Sequence, residues 1–420
     1  MLRKNKLCNR VKALLKKGRH KLSGYSKSEI TNKMDGIRHD PLRELAEIRN
    51  QLSYSKRIGF LFGAGTSKSM GMPSIIELTD LIEKNMDPKL KPKFDIIKKG
   101  LVADQQNIEA MLNQIRLIRQ ITLDSNKKSF EEITGEDAKK LDKFICNEIY
   151  KIISDVEGKT DNNISKRFLG WLNWLSRDFP KEIFTTNYDL IIEKSAESLQ
   201  IPFFDGFSGS NEPFFLSDFL GAKSMDNNLP RSWIRLWKLH GSIGWFWKLN
   251  ENKKSHRVIR LSSGAKEKYP EAELVIYPSK DKYESSRKQP FTSYFDRLKD
   301  FLNEDEGIFI ISGYSFTDEH VNEVIFNGIS QNNRLQVIAF TYNDAPLERI
   351  AGEGKNFPNL TIIGPTKASI AGTFAEWKFE KSGDLLSPFW DSTKNQLLLG
   401  DFNKLVAFLI LCTGMNESID

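Results

Sequence analysis

Four short apolar runs, each ending in a small or polar loop, constrain this chain most. Arg57-Ile58-Gly59-Phe60-Leu61-Phe62 leads into Gly63-Ala64-Gly65-Thr66-Ser67, and Glu182-Ile183-Phe184 leads into Thr185-Thr186-Asn187-Tyr188-Asp189. The aromatic, β-prone stretch Trp233 to Leu239 leads into His240-Gly241-Ser242. Gly307-Ile308-Phe309-Ile310-Ile311 leads, through Ser312, into Gly313-Tyr314-Ser315-Phe316-Thr317-Asp318. Short apolar runs bounded by Gly read as strands, and runs apolar at every position read as strands buried on both faces of a parallel sheet. Helical spacing follows from about Ser74 to Glu83, from Leu190 through Leu199 and from about Glu319 to Ser330. Leu335 to Tyr342 and Leu360 to Ile363 add two further strands, each with a helix nearby. This alternation predicts an α/β fold with a doubly wound, Rossmann-like parallel sheet. Ligands of such sheets bind beyond the carboxyl ends of the strands, where all four loops fall.

Each loop has an ordinary structural reading beside a chemical one. Gly63 and Gly65 allow positive φ and close backbone approach to a pyrophosphate, with Thr66 and Ser67 as further donors. The glycine fingerprint is incomplete, since residue 68 is Lys, and a tight strand-to-helix turn explains the loop equally well. Asn187 and Asp189 either cap the next helix or face a ligand, where Asn187 can donate and accept at once. His240, one of five histidines, is either a packed turn residue or a general base near neutral pH. Asp318 caps the helix after it or holds a ribose, and His320 reads as a polar-face residue. The tryptophans around His240 (Trp233, Trp237, Trp245 and Trp247) form either an apolar wall or ordinary sheet packing.

Charge is unevenly spread. The net charge is +7, yet residues 1–27 hold ten Lys or Arg and no acidic residue, so the remainder carries −3. Residues 1–40 therefore read as a basic arm, solvated or docking on an acidic partner, a membrane surface or nucleic acid. Residues 41–365 read as one nucleotide-binding domain with a helical insertion at about 74–180, and residues 366–420 as a C-terminal extension. Strands are expected at Trp245 to Leu249, Arg257 to Leu261 and Leu274 to Tyr277, and a buried helix at Leu405 to Cys412. An irregular stretch, 203–235, has the composition of a lid. No stretch is long and apolar enough to span a membrane, and no secretory leader pattern is present, so a cytoplasmic protein with no membrane partner is expected.

Gly-Ala-Gly-Thr-Ser, Thr-Thr-Asn-Tyr-Asp, Lys-Leu-His-Gly-Ser and Gly-Tyr-Ser-x-x-Asp-x-His, in this order, resemble the sirtuin-like proteins of bacterial anti-phage defence. The resemblance covers roughly residues 55 to 365. Asn107-Ile108-Glu109, Gly206-Phe207-Ser208-Gly209 and Ile276-Tyr277-Pro278 extend it toward the sirtuin-like subunit that works with a HerA-type hexameric ATPase. It implies an enzyme that takes NAD as substrate and depletes it, assembled as a large homo-oligomer. It carries the catalytic pair over to Asn187 and His240, with Asp189 as helper. It assigns the phosphate loop to Gly63, Ala64, Gly65, Thr66 and Ser67, the adenosine side to Gly313 and Ser315, and counts Thr186 with the NAD-binding residues.

Sirtuin deacylases carry four cysteine zinc ligands. This chain has Cys8, Cys146 and Cys412 and no C-x-x-C pair, so no zinc module or metal is expected and hydrolysis is favoured over deacylation. Three dispersed cysteines make no disulfide framework, which also fits the cytosol. The leading expectation is an NAD glycohydrolase that acts as a toxic effector. Two others remain: a protein deacylase or ADP-ribosyl transferase using the same cleavage, and a non-catalytic NAD-sensing or DNA-associated module, with nucleic acid reached through the arm or the complex. Release of nicotinamide without an acceptor, with an acceptor, or not at all separates the three.

Overall fold

Every residue of β1 (Ile58–Phe62) is buried. The computed structural model describes residues 38–103, 106–221, 229–249, 256–262, 273–276, 289–379 and 387–414. The basic arm expected over residues 1–40 lies outside these, apart from its last three positions, as does part of the lid-like stretch.

Along the chain, α1 (Pro41–Tyr54) precedes β1, and α2 (Ala64–Lys68) follows it at once. The insertion holds α3 (Ile75–Lys84), α4 (Lys91–Gly100), α5 (Ile108–Thr122), the small hairpin β2 (Ser129–Phe130) and β3 (Ile133–Thr134), α6 (Gly135–Glu157) and α7 (Asn163–Trp174). β4 (Glu182–Thr185) and α8 (Ile191–Ser198) return to the sheet. Short strands β5 (Phe203–Phe204), β6 (Phe207–Ser208) and β7 (Phe214–Phe215) occupy the stretch read as irregular. Then come β8 (Ile234–Lys238), β9 (Gly241–Leu249), β10 (His256–Arg260) and β11 (Glu273–Ile276). The last part holds α9 (Phe291–Asn303), β12 (Gly307–Ser312), α10 (Glu319–Gln331), β13 (Leu335–Phe340), α11 (Ala345–Gly354), β14 (Leu360–Ile363), β15 (Lys367–Ile370), β16 (Thr373–Glu376), β17 (Trp390–Asp391), β18 (Gln396–Leu397) and α12 (Phe402–Cys412).

The main sheet has the order β16-β15-β14-β13-β12-β1-β4-β8-β5. From β14 to β5 every neighbour is parallel, while β15 and β16 add an antiparallel edge. The chain passes from β1 to β4 and β8 on one side and later to β12, β13 and β14 on the other. β1 and β12 therefore flank a topological switch point, and their carboxyl-end loops open a crevice. The expected doubly wound α/β sheet is present. The strands expected between residues 245 and 277 form a separate antiparallel sheet, order β11-β9-β10-β7-β6. β9 starts at Gly241, so His240 stands in the tight turn between the two sheets.

Side-chain alternation splits β1 between two cores. Ile58, Phe60 and Phe62 join α1, α7 and α12 on one face, and Leu61 joins α9 and α10 on the other. The Phe402 ring at the start of α12 lies 5.2 Å from the Phe62 ring. The helix expected at Leu405 to Cys412 thus packs against the central strand, Leu405, Val406 and Leu409 being fully covered. A third core fills the insertion. Buried Glu157, in the last turn of α6, fastens that insertion to the sheet by accepting from Leu190 N–H and Lys194 Nζ on α8. No described helix is long and apolar enough to cross a membrane.

Candidate active site

The loops after β1 and β12 meet backbone to backbone. Gly63 N–H donates to Ser312 O at 3.0 Å, and Gly65 N–H to Gly313 O at 2.9 Å. A Cβ on Gly63 would lie 2.4 Å from Gly313 O, and one on Gly65 2.7 Å from Gly313 Cα. Gly313 has φ +65, the left-handed region that favours glycine. The sequence reading allowed Gly63 and Gly65 positive φ, and neither adopts it. Gly63 has φ −102, and Gly65 is helical within α2. The helix expected only from Ser74 is preceded by α2, which begins inside the glycine segment itself. The first duty of these glycines is to let the two loops touch. Ala64 and Gly65 still present exposed backbone to the crevice, whereas Thr66 and Ser67 are buried.

The hydroxyls of Thr66 and Ser67 point inward rather than toward a ligand. Thr66 Oγ1 donates to Gly63 O at 2.9 Å and Ser67 Oγ to Asp189 Oδ2 at 2.7 Å. Asn187 Nδ2 then donates to Gly63 O at 3.1 Å, Thr66 Oγ1 at 3.1 Å and Ser67 Oγ at 2.8 Å. A carbonyl and two hydroxyls that have already donated can only accept. This fixes the amide with nitrogen toward the glycine segment. Its Oδ1 has no protein donor among the described residues, and Asn187 lines the crevice. The loop is anchored from behind: Asn187 N–H donates to Thr185 Oγ1 at 3.0 Å, which donates to Phe62 O at 3.0 Å. Asp189 holds Ser67 and accepts from Ile191 N–H at 3.2 Å, so its carboxylate positions the loop and the start of α8. Lys238, at the end of β8, reaches Asp189 O and lies 2.9 Å from Glu193 Oε1. Burial raises the Glu193 carboxyl despite that lysine.

His240 is 5% exposed, and its Nε2 is 2.8 Å from Asp318 Oδ2. Asp318 also caps α10, its Oδ1 accepting from His320 N–H at 2.9 Å and Val321 N–H at 3.2 Å. Burial opposes ionisation of Asp318, but the His240 ring and these N–H groups outweigh it and hold the carboxyl below its ordinary range. An ionised Asp318 accepts from the Nε2 side of the ring and orients it. The sequence reading of Asp318 as a cap is half of its role here. The aspartate–histidine pairing joins two loops far apart in the chain and has no local signature.

These groups line one crevice of about 2900 Å³, running between the sheet and the insertion. Ala64, Gly65, Ser67, Thr186, Asn187, Asp189, His240, Gly313 and Ser315 border it, while Gly63 and Thr66 support it from behind. Ser315 Oγ is 2.8 Å from Thr317 Oγ1, and Arg349 donates to Ser315 O at 2.8 Å. Trp247 borders the crevice, but Trp237 and Trp245 pack on Tyr294, with centroids 5.5 and 5.6 Å away, so most of the aromatic cluster is sheet packing. His320 is exposed at the rim. Behind the site, Arg297 Nε donates to buried Glu182 Oε2 at 2.8 Å, and Trp237 Nε1 to the same oxygen at 2.7 Å. Among the described residues no group of His, Cys, Asp and Glu is arranged to hold a metal ion.

The sequence reading gave no role to Glu109 or Tyr188. Tyr188 Oη donates to Glu109 Oε1, which brings the insertion to the Asn187 loop. The local signal was the Asn107 cap: its Oδ1 accepts from Glu109 N–H at 3.1 Å and Ala110 N–H at 3.0 Å, which sets the start of α5.

Residues 181–358 match the SIR2-like domain family. The matched stretch contains Asn187, His240, Gly313, Ser315 and Asp318, with the glycine segment and Glu109 preceding it. Among solved structures, the chain is similar to a Sir2 homologue mutant in complex with 2'-O-acetyl ADP ribose, at 11% identity and TM-score 0.40, over 89% of this chain and 99% of that one. It is also similar to a structure described as the basis for the mechanism and regulation of Sir2 enzymes, at 12% identity and TM-score 0.38, over 88% and 98%. No curated protein matches the chain.

Proposed function

We propose that this chain hydrolyses the N-glycosidic bond of NAD, releasing nicotinamide and ADP-ribose. The observation that carries this reading is the reactive corner: Asn187, its amide nitrogen locked and its oxygen left for a ligand, shares one crevice with the Asp318-backed His240. The crevice also fits the substrate in size and place. It lies beyond the switch point, presents the Ala64–Gly65 backbone, and exceeds the ~300–1,000 Å³ typical of small-molecule sites, leaving room for a dinucleotide.

Breaking the nicotinamide–ribose bond builds positive charge at C1 of the ribose. The departing pyridinium needs no proton, so the protein must hold the sugar and deliver a nucleophile. Asn187 Oδ1 accepts from a ribose hydroxyl or from water and holds it in line. His240 acts as base, with Asp318 stabilising the charged ring. Asp189 and Ser67 keep Asn187 in register, and Gly313 and Ser315 border the adenosine side. Replacing Asn187 or His240 by Ala tests this: nicotinamide release should fall by ~10²–10⁴ for a lost positioned base. Wild-type release by folded His240→Ala protein would remove His240 from the mechanism.

At the level of the cell, the reading is an NAD-depleting effector of anti-phage defence that works as a homo-oligomer with a HerA-type ATPase. Its support is the resemblance of the four motifs and of Asn107-Ile108-Glu109. Co-expression with such an ATPase, followed by affinity capture, tests the partnership. Separate elution of the two proteins at low and moderate salt would contradict it.

A further inference from the structure

Glu109 is the carboxyl that the insertion carries to the reactive corner. Two contacts fix its backbone: the Asn107 cap described above, and Thr79 Oγ1 on α3, which accepts from Ile108 N–H at 2.9 Å. Its side chain is fixed by the Tyr188 hydroxyl, and Tyr188 stands between Asn187 and Asp189. No Lys or Arg pairs with it among the described residues. It lines the same crevice as His240 and Asp318. A partly buried carboxyl with no Lys or Arg partner among the described residues, tied to the catalytic loop and facing the crevice, serves no ion pair there.

The two carboxyls near His240 differ in character. Asp318 is held below its ordinary range. Burial pushes Glu109 above the ordinary Glu range; His240 and the Tyr188 hydroxyl counter this, and the charge of Asp318 adds to it. Paired acids whose environments drive them apart divide their tasks, one staying charged and the other exchanging a proton.

We propose that Glu109 orients and deprotonates the attacking water, leaving His240 to the ribose hydroxyls. This rests on the NAD hydrolase reading. In the step, the water oxygen bonds to C1 of the ribose and its proton passes to a Glu109 oxygen. The C1–nitrogen bond breaks, and its electron pair neutralises the pyridinium. The proton on Glu109 then leaves to solvent, so one NAD and one water give nicotinamide, ADP-ribose and a proton.

The test compares wild type, Glu109→Gln and Glu109→Asp by nicotinamide release across pH, ADP-ribose affinity by calorimetry, and melting temperature. Glu109→Gln should lower kcat by ~10²–10⁴, keep KM and ADP-ribose affinity near wild type, and remove the acid limb of the kcat profile. Glu109→Asp should keep the acid limb at reduced kcat, and it decides the matter if Glu109→Gln melts early. Wild-type kcat in either variant, or ADP-ribose affinity falling in step with rate, would overturn the assignment while leaving the hydrolase reading in place. Failure of the wild-type chain to release nicotinamide would instead overturn that reading, and the role of Glu109 with it.

Discussion

Asn187 has two tasks, and a single substitution removes both. Its amide nitrogen satisfies three buried acceptors, so Asn187→Ala should cost ~1–3 kcal/mol of stability as well as activity. His240→Ala, which removes the side-chain bond to Asp318, should cost less, and a denaturant titration of both variants checks the contrast. Asp318 makes a pH prediction. Its carboxyl is held below its unfolded value, so it stabilises the folded chain above the unfolded pKa. That contribution is lost as pH falls through the folded pKa. Asp318→Asn should therefore flatten the acid limb of stability, and an unchanged limb would show the pair to be energetically idle. Gly65→Val should lower stability together with ligand affinity, because its side chain meets Gly313 backbone rather than open crevice. Retained melting with lost affinity would return Gly65 to a purely phosphate-facing role. At this scale the sequence identified which residues approach the crevice. It did not identify which atoms face it. The hydroxyls of Thr66 and Ser67 read as ligand donors, yet their protons go to Gly63 O and Asp189. That choice is made by Asn187, more than a hundred residues away.

Between elements, the site depends on how β4 is held. Glu182 is buried, and Arg297 of α9 pairs with it through two nitrogens, overcoming the burial that would otherwise raise its carboxyl. Removing one partner leaves an uncompensated buried charge, so Arg297→Met should cost about 3–5 kcal/mol in denaturant unfolding. A loss under ~1 kcal/mol, the scale of a surface pair, would mean that water reaches the pair. β1 and β12 were legible because almost every position in them is apolar. The second sheet was not. β9, β10 and β11 have strand character in sequence, but their antiparallel pairing apart from the main sheet follows from the tight turn at His240-Gly241. That turn requires Gly241 at φ +88, with Val275 O where a Cβ would be. The approach of Glu109 to Tyr188 was hidden for the same reason: it depends on how α5 docks, which no local spacing encodes.

Over the whole molecule, the segment after residue 365 is part of the fold. β15 and β16 close one edge of the sheet, and α12 covers the face of β1 that carries Ile58, Phe60 and Phe62. A chain ending at residue 365 would expose that face and should be recovered only as aggregate, whereas deleting residues 1–27 should leave nicotinamide release intact. The insertion, joined to the sheet by Glu157 and to the reactive corner by Glu109, forms the opposite wall of the crevice. The reaction proposed for that crevice is tested most directly by product stoichiometry. The purified full-length chain is incubated with NAD in water, first without and then with an acylated peptide, and nicotinamide, ADP-ribose and acylated ADP-ribose are quantified. Hydrolysis predicts nicotinamide and ADP-ribose in equal amounts without peptide, no acylated product with it, and loss of both products in Asn187→Ala. Nicotinamide released only when the peptide is present, or NAD bound and recovered whole, would contradict it.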